Sequence, residues 1–139
     1  MDIRSVAPVA GAVACLLVVI VVALPWLLVE GQSGLVRAYY NAGLVGAGGV
    51  GFFALIGIVA FASAERGNVD PVTMAGGLVV FGVAILLFAL TWWLALPETL
   101  VFSFGPEYSW IEHHPPAVVL LSLLPQTIAA VYARAVLNQ

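Results

Sequence analysis

Four long stretches of the chain carry apolar residues almost without interruption, and each is bordered by residues that start or stop a helix. They run from about Pro8 to Val29, Leu35 to Ala64, Pro71 to Leu96 and Pro116 to Leu137. A helix rises 1.5 Å per residue, so a hydrocarbon core of about 30 Å needs roughly 20 apolar residues, and each stretch is long enough. Asp70 before Pro71 reads as a helix start, since Asp caps free N–H groups and Pro at the first helical position loses no bond. Ser5 to Pro8 and His114-Pro115-Pro116 read the same way. The pattern predicts an all-α protein, a single domain over residues 1–139 built as an integral membrane bundle of four antiparallel transmembrane helices. The first stretch is too long for a leader peptide and has no small-residue cleavage site after it, so it is expected to stay as a permanent span.

Composition strengthens this reading. Hydrophobic residues make up 63% of the chain and charged ones 8%, with a mean hydropathy of +1.14. A soluble domain carries roughly 25% charged residues, so the expected surroundings are a lipid bilayer. A net charge of −3 with no basic patch argues against nucleic acid as a partner. Cys15 is the single cysteine and has no partner for a disulfide within the chain.

All four cations are arginines, and each lies near a span end. With the N-terminus in the cytoplasm, Arg4, Arg66 and Arg134 fall inside and Arg37 outside, which predicts a multi-pass cell-membrane protein with both termini cytoplasmic. Trp26, Tyr39, Tyr40, Trp92, Trp93, Tyr108 and Trp110 then gather at the outer interface. The long outer loop 97–115 is rich in aromatic and aliphatic residues, and is expected to lie on the membrane or fold back over the bundle mouth.

Helices in lipid associate largely through small residues that admit close approach. Gly43, Ala47 and Gly51 are spaced to form one face of the second span; Ala7, Gly11 and Cys15 form a matching row on the first, and the third offers Gly76, Gly77 and Gly82. These faces serve packing within the chain or contact with a second copy. Pro25 is expected to bend the first helix near its outer end. Pro125 falls mid-span in the fourth beside Ser122, Gln126 and Thr127, a polar group that serves either as interhelical contact or as part of a solute path.

Glu112, His113 and His114 form the one cluster of metal-ligand types. Adjacent histidines diverge on a regular element, so a solvated interfacial pair is expected there in preference to a metal or redox site. No ionisable residue lies at a span centre, which argues against a proton-driven pump. Gly46 to Gly51 lacks the lysine of a phosphate loop, and no catalytic constellation or cofactor motif is present. Three functions follow in order: a non-enzymatic structural or accessory component of a homo-oligomer or larger membrane complex; a small permeation protein for an uncharged solute, with its path at the Pro125 kink; and a metal or redox role at Glu112, His113 and His114.

The opening run Met1 to Pro8, Ala38-Tyr39-Tyr40, Ala60-Phe61-Ala62 ahead of Glu65-Arg66, Asp70-Pro71 and Tyr132-Ala133-Arg134 resemble a group of small four-span haloarchaeal membrane proteins of unknown function. That resemblance covers the whole chain and implies a fold and a saline habitat, with which a pI of about 5.0 and arginine without lysine agree. It implies no catalytic residue.

Overall fold

The computed structural model describes residues 2–67 and 69–138. Among them there is no strand, and the helices follow in the order α1 (Ile3–Leu28), α2 (Ser33–Asn41), α3 (Gly46–Arg66), α4 (Pro71–Ala95), α5 (Glu98–Phe102), a 3-10 segment (Pro106–His113) and α6 (His114–Leu137). The helices α1, α3 and α4, and the stretch Pro106–Leu137 that ends in α6, are long and apolar enough to cross a membrane. They form the antiparallel bundle that the pattern predicts, with α1 against α3 and α6, and α4 against α3 and α6. The start of α1, the end of α6, the end of α3 and the start of α4 lie together at one end of the bundle, the open end. The other end is capped by α2, α5 and the 3-10 segment.

The helix boundaries have local causes. Asp2 accepts from the Arg4 N–H and starts α1, so Pro8 lies inside that helix and the Ser5 to Pro8 start is superseded. Asp70 accepts from both the N–H and the hydroxyl of Thr73, with Pro71 at the first position of α4, as its sequence predicts. Gly67 ends α3 in the left-handed conformation at φ 73°, donating back to the Ser63 and Ala64 carbonyls.

The second predicted span differs from the structure. The stretch from Leu35 to Ala64 is broken at residues 42–45 into the short α2 and the long α3. Gly43 at φ 83° and Gly46 at φ 71° make the corner. A Cβ on Gly43 would lie 2.9 Å from the Trp92 Cα, and one on Gly46 would run into the Tyr40 carbonyl oxygen. The row from Gly43 to Gly51 is therefore not a single helix face, because its first member lies outside α3. Conformational freedom, not only small size, is what these two glycines contribute.

Elsewhere small residues set the distance between helices. Gly11 on α1 faces the Phe61 ring, Gly57 on α3 faces the Cys15 sulfur, and Gly51 lies 3.5 Å, from its Cβ position, to a Val22 methyl. Pairing 11 with 61, 15 with 57 and 22 with 51 is the register of two antiparallel helices in close contact. Ala47, Val50 and Ala54 are fully buried along the same seam. Across the bundle, a Cβ on Gly82 of α4 would lie 2.8 Å from the Cα of Gln126 on α6, so these two backbones are in direct contact.

This contact sets an expectation. Gly82→Leu forces α4 and α6 apart and should destabilise the bundle by about 1–3 kcal/mol, the usual range for overpacking. Gly48→Ala, where an added Cβ meets nothing within 4 Å, should hold or raise stability. Thermal melts of both variants in one detergent, followed by circular dichroism, check the contrast.

Candidate functional site

The most elaborate arrangement of polar side chains lies at the capped end, and it starts from Pro25. Proline has no N–H, so the carbonyl of Val21 four residues earlier receives no helical bond. His114 Nε2 fills that vacancy at 2.6 Å from the Val21 oxygen. One residue further on, the helix is opened a second time. The Tyr40 hydroxyl donates to the Val22 carbonyl and accepts from the Trp26 N–H at 3.1 Å, so it stands inside the bond those two groups would otherwise share. A kink in α1 is thus filled from two directions, by a tyrosine on α2 and a histidine at the start of α6.

The histidine is held on its other side. Its Nδ1 lies 2.6 Å from the Tyr39 hydroxyl, and the Tyr39 carbonyl accepts from the Trp92 indole N–H at 2.8 Å. A carbonyl can only accept, so Nε2 carries the proton and donates to Val21, and Nδ1 is left to accept from the tyrosine. Burial, and then the neighbouring Tyr40, raise the Tyr39 hydroxyl far above its ordinary value, which keeps it a neutral donor. A neutral imidazole satisfies every partner without burying a charge. Tyr39 and Trp92 are fully buried and His114 is 4% exposed. The Tyr39 ring packs edge to face on Trp92, centred 5.2 Å away, and on Phe104, at 5.8 Å.

The loop after α4 closes over this group. Phe104 and Ile111 are buried, the Phe104 carbonyl accepts from Gln32 Nε2 at 3.1 Å, and the Tyr108 hydroxyl accepts from the Glu30 N–H. The loop folds back over the bundle mouth, the second of its two expected dispositions. Both of these acceptors serve donors on the loop between α1 and α2, which fixes the two connections to each other.

The expectation of a solvated histidine pair therefore needs correction. His113 is exposed, but His114 is turned into the bundle, because the Pro25 kink offers it a carbonyl and Tyr39 a hydroxyl. Glu112 is exposed, and among the described residues no three His, Cys, Asp or Glu side chains converge as metal ligands. Ser122 is buried and donates to the Val118 carbonyl of its own helix, at 2.8 Å. Gln126 is half-buried at the close approach to Gly82, whereas Thr127 faces outward. A cavity of about 880 Å³ lies between α1, α2 and α3, open to the bundle's outside.

Sequence reading missed the Tyr39, Tyr40, Trp92 and His114 junction. Its one local signal was Pro25, whose freed carbonyl announces an acceptor in need of a donor. The donors come from positions 40 and 114, and only the tertiary fold brings them there.

Comparison with known proteins adds a family. The match runs over residues 1–137 and takes in every helix described above. The chain belongs to the family of unknown function DUF7548. No curated protein and no solved structure matches it. Membership in DUF7548 agrees with the resemblance in covering the whole chain and in carrying no known function, and it assigns no activity to the junction.

The junction makes a quantitative prediction. His114→Ala leaves the Val21 carbonyl and the Tyr39 hydroxyl without partners and should cost about 1–3 kcal/mol. In a Pro25→Ala background the alanine N–H reaches Val21 itself, so the same histidine substitution should cost less by about 1 kcal/mol or more. A double-mutant cycle of unfolding free energies in mixed micelles measures this coupling, and equal costs in both backgrounds would refute the assignment.

Proposed function

We propose that this chain is a non-enzymatic component of a larger membrane assembly, a structural or accessory subunit that offers an outer helix face to a partner helix. The observation that carries the reading is on α4. Gly76 and Gly77 are exposed, and a Cβ at either would meet nothing within 4 Å. A glycine inside a helix costs up to about 1 kcal/mol relative to alanine, and here no packing within the chain offsets that cost. Thr73 precedes Gly77 by one turn and is also exposed, giving a flat strip of the kind on which helices associate in lipid.

Two further points support the reading. The buried polar side chains of the junction and Ser122 are occupied with backbone and with one another, which suits a scaffold better than a reaction centre. The distribution of arginine supports an orientation in which the open end is cytoplasmic, since Arg4, Arg66 and Arg134 belong to that end and Arg37 to the capped one. A halophilic host remains the habitat that arginine without lysine and the low pI favour.

Purification of the tagged chain from its native membrane in mild detergent, with mass spectrometry of what accompanies it, tests the proposal. A stoichiometric companion is expected, either another protein or a second copy, and Gly77→Leu should remove it while the melting temperature holds. Recovery as a lone monomer, or a companion retained in full by Gly77→Leu, would overturn the reading.

A further inference from the structure

The cavity between α1, α2 and α3 has one polar end and one apolar end. At the capped end its lining includes Gln32, Ser33, Arg37 and Asn41, and deeper along the helices it is walled by aliphatic and aromatic residues, among them Val19 on α1 and Phe52 and Leu55 on α3. From Gly48 to Leu55 the groove follows α3 for about 10 Å at 1.5 Å per residue. It therefore runs along the bundle axis, from the level of the short amphipathic α2 toward the middle of the apolar spans. Its volume of about 880 Å³ lies in the range of sites that hold small ligands.

Charge identifies the occupant. Arg37 is the one charged residue among those lining the groove. Beside it the Gln32 amide is anchored through Nε2 to the Phe104 carbonyl, and its buried Oε1 has no hydrogen-bond partner among the described residues. The polar end thus presents a cation, and the apolar end is open toward the region an acyl chain occupies. We infer that the groove holds one anionic phospholipid, its phosphate on the Arg37 guanidinium and one chain laid over Gly48, Gly51 and Leu55. Arginine suits this role because its planar fork meets two phosphate oxygens at once. The glycines leave the depth that a chain needs: a Cβ at Gly48 would meet nothing, and one at Gly51 would reach only a Val22 methyl at 3.5 Å.

The site is independent of the outward strip on α4, so the two proposals fail separately. The test is native mass spectrometry of the delipidated chain titrated with phosphatidylglycerol or phosphatidylcholine of identical tails. One phosphatidylglycerol should be retained per chain, with about tenfold preference over phosphatidylcholine. Arg37→Gln, at an exposed position, should bring phosphatidylglycerol down to the phosphatidylcholine level, whereas Arg134→Gln at the open end should leave the preference intact. Gly48→Leu fills the groove and should weaken both lipids, with an unchanged circular dichroism spectrum confirming the fold. Equal retention of the two lipids by the unmodified chain, an undiminished preference in Arg37→Gln, or unaltered binding by Gly48→Leu would each overturn the assignment. Displacement of the retained lipid by inorganic phosphate alone would also overturn it, since the tail would then contribute nothing.

Discussion

A carbonyl group in a bilayer that has no donor is among the costliest defects a helix can carry, because lipid supplies no hydrogen bond. Pro25 creates that defect at Val21, and the architecture of the capped end is its remedy. His114 must reach Val21, so α6 has to begin beside α1. Tyr39 must hold His114, so α2 has to lie across the bundle mouth in place of continuing into α3. Trp92 must hold Tyr39, which brings the end of α4 into the same cluster. Three helix ends are thereby placed by one missing N–H.

The corner between α2 and α3 belongs to the same solution. If residues 35–64 ran as one helix, Tyr39 and Tyr40 would stand on the α3 axis and could not both turn toward α1 and α6. Two glycines with positive φ make the turn, and each also lies where a side chain would strike backbone, at Trp92 or at Tyr40. Besides ending α3 at Gly67, glycine therefore has three uses in the bundle: corner-making at Gly43 and Gly46, close helix approach at Gly11, Gly57 and Gly82, and open outer surface at Gly76 and Gly77.

Those three uses mark how far the fold was legible in the sequence. The four apolar stretches, the Asp70-Pro71 start and the all-α class follow from hydrophobic length and capping chemistry, which are local and strong. The corner was hidden because a glycine needed for its φ looks the same as one needed for its size, and a run that includes Gly43, Gly46, Gly49 and Gly51 reads naturally as a packing stripe. The junction was hidden for another reason. His114 adjoins His113 and Glu112 in the chain, and that adjacency suggests a cluster; in space its neighbours are Tyr39, Trp92 and the Val21 carbonyl, far away in sequence. Proximity along the chain was the wrong guide to chemistry there, while the carbonyl freed by Pro25 was the right one.

The order in which the chain is made gives the Pro25 kink a consequence for biogenesis. Synthesis proceeds from the N-terminus, so α1 enters the membrane with Val21 exposed and unsatisfied long before residue 114 exists to cover it. During that interval only water can serve the carbonyl, and water is found at the interface and not in the hydrocarbon. A first helix that keeps the level of Val21 near the wet edge of the bilayer until α6 arrives avoids leaving the carbonyl bare. Replacement of that water by the imidazole then marks the arrival of α6 beside α1.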